Sequence, residues 1–167
     1  EKIVRLMDSP LVVTAWLDIG DDESIQVYQT IKKLSNELAP LLRIQVRHFP
    51  SSSDITTEWK EKVNIFETLR LLGLEEIFLS KMNSKVNFED GLEKLFVDFP
   101  SAKKQVEETM NCNHFSEQIF KDLKDGPFQY GVRKAPSLLI NLELEKGKLT
   151  EDSLRKKLRE VLLKSSF

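Results

Sequence analysis

An α/β fold, with a central mixed β-sheet flanked by helices and a helical block between its two halves, is what this 167-residue sequence predicts. Three observations carry that expectation. A strand pattern, a helix pattern and a second strand pattern follow one another near the start of the chain; a long middle stretch shows only helical periodicity; and a strand, a turn and a helix close it.

Leu11-Val12-Val13-Thr14-Ala15-Trp16-Leu17 is an almost unbroken apolar run rich in β-branched residues, set between Ser9-Pro10 and the pair Asp18 and Gly20, the pattern of a buried central strand. Ile25, Tyr28, Ile31, Leu34 and Leu38 then recur at spacings of three and four, the stripe of an amphipathic helix. Asp21, Asp22, Glu23 and Ser24 sit at its electropositive start, and Pro40 is expected to close it. Leu42 through Phe49 alternates apolar and polar before Pro50 and reads as a second strand, so that strand, helix and strand form a right-handed βαβ unit with a parallel pair.

From about Asp54 to Lys124 the apolar residues fall on helical stripes: Trp59, Val63, Phe66, Leu69 and Leu72 on one, Ile77 and Phe78 on another, Leu92, Leu95, Phe96 and Phe99 on a third. Gly73, Pro100 and Asn111–Asn113 are the expected internal turns. After Gly126-Pro127, Ser137 through Leu144 reads as a third strand, with Glu145-Lys146-Gly147-Lys148 as a hairpin turn and any short strand beyond it antiparallel. Thr150 is placed to cap a last helix, Leu149 and Leu154 to form a hydrophobic staple, and Leu158, Val161 and Leu162 to face the core. The expected organisation is therefore residues 1–53 as an N-terminal βαβ part, 54–125 as a helical insertion and 126–167 as a C-terminal strand, turn and helix.

Composition narrows function by exclusion. The 25 basic and 27 acidic residues are interspersed rather than gathered into a basic stripe, which argues against a nucleic-acid partner. No apolar run approaches the roughly 20 residues that span a bilayer. The opening Glu1-Lys2-Ile3-Val4-Arg5 carries neither Met nor an apolar leader, which leaves open a mature chain or a piece of a longer protein. A single cysteine, Cys112, excludes an intrachain disulfide and a CxxC couple; with His48 and His114 the only histidines, Cys₄ and Cys₂His₂ metal sites are excluded too. Cys112 and His114 lie two residues apart, a spacing that permits a thiol–imidazole nucleophile, although an inert thiol beside a surface histidine is the plainer reading. An intermolecular disulfide through Cys112 is a third role.

Four segments, in this order and spacing, give the chain a resemblance to the DsbA-like branch of the thioredoxin fold, a resemblance that covers nearly its whole length. Trp16-Leu17-Asp18 is similar to the strand leading into that family's active-site helix, and Val46-Arg47-His48-Phe49-Pro50 to its second strand and following proline. Gly131-Val132-Arg133-Lys134-Ala135-Pro136 with Ser137-Leu138-Leu139-Ile140-Asn141 resembles the segment that holds the family's cis-proline and the next strand. Gly147 through Leu162 resembles its glycine turn and terminal helix. The resemblance implies a thioredoxin-like fold with a DsbA-like helical insertion and an extracytoplasmic setting: periplasm, secretion or an organelle lumen. It also puts the family's two active-site cysteines at Asp21 and Ser24, with Asp22 and Glu23 between them, so both thiols are missing. Where that family holds a thiolate at a helix N-terminus, this chain has carboxylates, and the same dipole then favours a capped helix start over a reactive centre.

The functional readings follow from these residues. Asp18, Asp21, Asp22 and Glu23 form a carboxylate cluster of the type that binds Ca²⁺, but without the alternating spacing and later bidentate Glu of a dedicated loop; helix capping accounts for them, and no metal or other cofactor is implied. Asp18, at a strand end, is a candidate for a buried carboxylate. Ser24 permits an enzymatic alternative, because kappa-class glutathione transferases in this branch use a serine there to stabilise the glutathione thiolate, although the acidic neighbours would repel such a ligand. The leading expectation is a redox-inactive, chaperone-like interaction module. Its groove is expected between Asp21, Asp22, Glu23 and Ser24 on one side and Arg133, Lys134, Ala135 and Pro136 on the other, with a polypeptide or another protein domain as partner. Ion pairing of Arg133 and Lys134 with the acidic helix start is the structural alternative.

Overall fold

The computed structural model describes residues 11–39, 41–51, 55–82, 86–112 and 115–165. The chain divides into two compact units, one made of Glu1–Ser51 with Leu123–Phe167 and the other of Ser52–Asp122.

The first unit is built on a four-stranded mixed sheet ordered β2-β1-β3-β4, from β1 (Leu11–Leu17), β2 (Leu42–His48), β3 (Ser137–Ile140) and β4 (Glu143–Leu144). β1 and β2 run parallel, with Leu11 opposite Leu42 and Leu17 opposite His48, and the crossover between them is helix α1 (Asp22–Leu38). β3 is antiparallel to β1, pairing Val13 with Ile140 and Trp16 with Ser137. As the central strand, β1 is buried almost throughout, as its apolar run predicts.

The face of α1 that packs inward is Ser24, Val27, Tyr28, Ile31 and Leu34; Tyr28, Ile31 and Leu34 lie on the apolar stripe read in the sequence, while Ser24 and Val27 take the places expected of Ile25 and Leu38. Ile25 and Leu38 are only half-buried, and Ser24 takes a core position because its hydroxyl has hydrogen-bond partners there. The helix ends at Leu38 with Ala39 as its cap; Pro40 lies outside the described residues.

The third strand differs from expectation. Asn141 and Leu142 both have left-handed backbones, at φ 49° and 74°, and Ile140 pairs with Glu143, so a two-residue turn splits the expected strand into the β3–β4 hairpin. The turn expected at Glu145–Lys148 instead belongs to the connection into α7 (Glu151–Ser165). Asn141 is anchored across the sheet: its Oδ1 accepts from the Val12 N–H at 2.9 Å and its own N–H donates to the Val12 carbonyl at 2.9 Å. α7 starts as predicted, with the Thr150 hydroxyl accepting from the Ser153 N–H, and buries Leu154 and Leu158, while Val161 and Leu162 are half-exposed.

Gly126 and Pro127 also depart from their expected role as punctuation, because helix α6 (Ser116–Gln129) runs through both. Gly126 is needed there for contact: a Cβ would lie 3.0 Å from the Trp16 indole and 3.4 Å from the Phe49 ring. Trp16 is fully buried with Val132 and Leu139, and Phe49, Tyr130 and Leu144 close the cluster. The Arg47 guanidinium stacks 4.5 Å from the Trp16 ring and 5.6 Å from that of Tyr130, and it bonds the Asp125 carboxylate at 2.9 Å.

On the surface of this unit, Arg155 bridges Glu37 at 3.0 Å and Glu151 at 2.8 Å, and Lys33 reaches Glu151 at 2.7 Å. The hydrogen bond from Arg155 holds the Glu37 carboxyl below its ordinary range, and those from Lys33 and then Arg155 do the same to Glu151. Glu37 in turn, and Glu151 after it, raise Arg155.

The second unit is helical: α2 (Thr57–Leu71), α3 (Glu75–Lys81), α4 (Phe88–Asp98), α5 (Pro100–Cys112) and the beginning of α6. Its core takes Trp59, Val63, Phe66 and Leu69 from α2 with Phe78 and Leu95. Leu72, expected on that stripe, is the exposed C-cap instead. Gly73 follows at φ +71°, with the Leu74 N–H returning to the Leu69 carbonyl and the Gly73 N–H to that of Arg70. Asn111, expected in a turn, lies inside α5, while Asn113 is outside the described residues.

Candidate functional site: the α1 start and the cis-proline loop

At the start of α1 the side chains of Asp18, Asp21 and Ser24 all have local partners. Asp21 is the N-cap; its carboxylate accepts from the Ser24 N–H at 3.3 Å and its own N–H donates to the Asp18 carbonyl at 2.9 Å. The Ser24 hydroxyl, on a residue only 1% exposed, accepts from the Asp18 N–H at 3.1 Å and donates to Asp21 Oδ2 at 3.3 Å. The Asp18 side chain, 8% exposed, turns back on the loops around it: one carboxylate oxygen accepts from the Gly20 N–H at 3.0 Å and the other from the Ser51 N–H at 2.8 Å. Asp18 is thus a buried tie between the end of β1 and the segment after β2. Asp22 and Glu23 point outward on the first turn. The Ser24 proton on which a glutathione-binding reading depends is committed to the Asp21 carboxylate.

The loop from Gly131 to Pro136 is organised differently. Gly131 has φ +69°, the Val132 N–H is fixed to the Gly126 carbonyl at 2.9 Å, and the Ala135–Pro136 peptide bond is cis. The Lys134 carbonyl accepts from the Ser137 hydroxyl at 2.6 Å and the Arg133 guanidinium donates to the Pro127 carbonyl at 3.0 Å. Among the described residues, the main-chain N–H and C=O groups of Arg133 and Ala135 have no hydrogen-bond partner, and neither Arg133 nor Lys134 has an ion-pair partner.

Between this loop and α1 lies a groove of about 1010 Å³. Of the residues expected to form it, Glu23, Arg133, Lys134, Ala135 and Pro136 do; Asp21, Asp22 and Ser24 do not line it. Helical periodicity explains the difference, because the groove wall is Glu23, Gln26, Val27 and Thr30, one face of α1 that passes beside the N-cap. The third wall, Leu144 through Thr150, is absent from the sequence reading, where Glu145–Lys148 serves only as a turn. Cys112 is the last residue of α5, and His114 lies outside the described residues. Among the described residues no cluster of three metal-ligating side chains occurs, and no helix is long and apolar enough to cross a membrane.

The fold is similar to that of solved structures. A thioredoxin-like oxidoreductase from Silicibacter pomeroyi DSS-3 matches with a TM-score of 0.68 at 16% identity, covering 90% of this chain and 85% of its own. DsbA from Xylella fastidiosa matches with a TM-score of 0.68 at 12% identity, over 96% and 89% of the two chains. BdbD from Bacillus subtilis matches at 0.65 and 13% identity, over 93% and 89%. The fold is that of the DsbA-like thioredoxin-fold oxidoreductases. No protein-family model and no curated protein sequence matches this chain. Within the DsbA-like fold, the chain retains the helix start, the cis-proline loop and the helical block, but with one cysteine it has no intrachain dithiol to oxidise or reduce.

Proposed function

We propose that this chain is a redox-inactive module that holds an extended polypeptide segment in the groove between α1 and the cis-proline loop, in an extracytoplasmic compartment. The observation that carries the reading is the contrast inside one site: among the described residues the main-chain groups of Arg133 and Ala135 are unpartnered beside an open groove, while the Asp18, Asp21 and Ser24 side chains at the helix start are engaged in hydrogen bonds within the fold. Unpaired backbone next to a groove is what pairing with an added extended segment requires, and that pairing needs no cysteine. The partner is a polypeptide segment or a segment of another protein domain, and the role is retention rather than turnover.

Amide chemical-shift mapping with a permanently unfolded polypeptide, such as reduced and alkylated α-lactalbumin, tests this. Shifts concentrated at Gly131–Ala135 and along Glu23–Thr30 are expected. Shifts confined to other surfaces, or none at millimolar ligand, would leave the groove without this function and the domain with a purely architectural role.

A further inference from the structure

We infer that the segment this groove holds is acidic, a specification that rests on the polypeptide-binding reading above. Four basic side chains line the groove, Arg133, Lys134, Lys146 and Lys148, against two acidic ones, Glu23 and Glu145. All four basic residues are exposed, and among the described residues none is ion-paired. Glu145 is half-buried and its carboxylate is turned onto the Gly147 N–H at 2.9 Å, which reduces what it offers to the groove. The excess is local, since the chain as a whole carries a net charge of −2. It continues beyond the groove: a neighbouring cleft of about 670 Å³ shares Leu144, Glu145 and Lys146 and adds Lys157 and Lys164 from α7 against one further acidic residue, Glu143.

Elsewhere on the first unit's surface some basic residues meet carboxylates, as Lys33 and Arg155 do with Glu37 and Glu151. Along this path they meet none, and unneutralised cations on both rims of a cleft attract and orient an anionic chain. A polypeptide fits better than another polyanion because the Arg133 and Ala135 main-chain groups complement a peptide backbone, Glu23 stands against phosphate, and no aromatic side chain lines either cleft to stack a base.

Panning a phage-displayed library of random 12-residue peptides against the purified chain tests this, followed by fluorescence anisotropy of a selected peptide. Enriched peptides are expected to carry a clear excess of Asp and Glu over the naive library. Their affinity is expected to fall at least tenfold in K134E/K146E/K148E and several-fold between about 50 and 300 mM salt, and to rise in E23K. The four positions are exposed, and circular dichroism of each variant verifies its fold. If neutral or basic peptides are enriched and shift the Arg133–Ala135 amides, the charge preference is wrong while the groove reading stands. If no peptide is enriched, or acidic binders ignore both the triple variant and E23K, the inference and the groove reading fall together. A labelled 12-nucleotide DNA strand that binds the groove as tightly as the acidic peptides would overturn the choice of polypeptide.

Discussion

The two walls of the candidate site are a contrast in how polar groups are spent. At the α1 start, the Asp18 carboxylate accepts from the Gly20 and Ser51 N–H groups, the Asp21 carboxylate from Ser24, and the Ser24 hydroxyl from the Asp18 N–H, so these three side chains are engaged within the fold. At the cis-proline loop, main-chain groups and cationic side chains remain without partners in the described chain. Solved structures that share this fold are oxidoreductases; in this chain the α1 start is tied up in its own hydrogen bonds, while the cis-proline loop leaves backbone groups without partners among the described residues. Polar groups that satisfy each other stabilise the fold; those left unsatisfied at a surface are where binding free energy can come from.

The comparison can be broken by measuring stability on one side and binding on the other. Asp18→Ala should give the largest loss, about 3 kcal/mol by urea denaturation, because two loop N–H groups lose a charged acceptor in a buried setting; a loss below about 1 kcal/mol would mean that the α1 start is not scaffold. Ser24→Ala should cost less, about 1–2 kcal/mol, since the Asp18 N–H loses its acceptor but the Asp21 cap survives. Lys134→Glu should change stability by no more than about 0.5 kcal/mol, as expected for an exposed residue with no ion pair, while weakening any groove ligand. A large stability change there would show that the loop, too, is structural.

The smallest effect lies away from both walls. Glu37 and Glu151 have folded-state pKa values depressed below the ordinary 4.5. Their contribution is therefore present above the unfolded-state pKa and is lost as pH falls through the lower folded value. E37Q/E151Q should show a slightly shallower fall in melting temperature between about pH 5 and pH 3 than the parent chain, and the difference should vanish in 1 M salt.

What could be read from residues alone follows from where the physics is local. β1 is legible because a continuous apolar run between Pro10 and Gly20 has one physical solution, and α7 because Thr150, Glu151 and Asp152 announce its start. Ser24 is invisible to hydrophobic periodicity, because its burial depends on hydrogen bonds to Asp18 and Asp21 that only the fold creates. The β3–β4 turn is hidden for a similar reason: Asn141-Leu142 lacks the glycine that marks such turns, whereas Glu145-Lys146-Gly147-Lys148 displays turn chemistry and lies elsewhere. Gly126 reads as a break although it is a close contact with a tryptophan more than a hundred residues earlier in the chain. Of the site, the cis-proline loop was legible through family resemblance, and Glu23 through its place at the helix start. The wall from Leu144 to Thr150 was not, since nothing in a turn sequence states which groove it faces.

The Asn141–Leu142 turn also bears on the order in which the chain assembles. Leucine disfavours the left-handed region, by roughly 1 kcal/mol, and the partner that holds Asn141 is Val12, 129 residues away. A hairpin whose turn opposes it locally and whose anchor is that distant cannot nucleate by itself, so it is expected to form late, after β1 is in place. Pulse-labelled amide exchange during refolding reads this directly: protection at Glu145, whose N–H donates to the Leu138 carbonyl across the hairpin, should lag behind that in α1, and protection arising together would assign the hairpin to the nucleus instead.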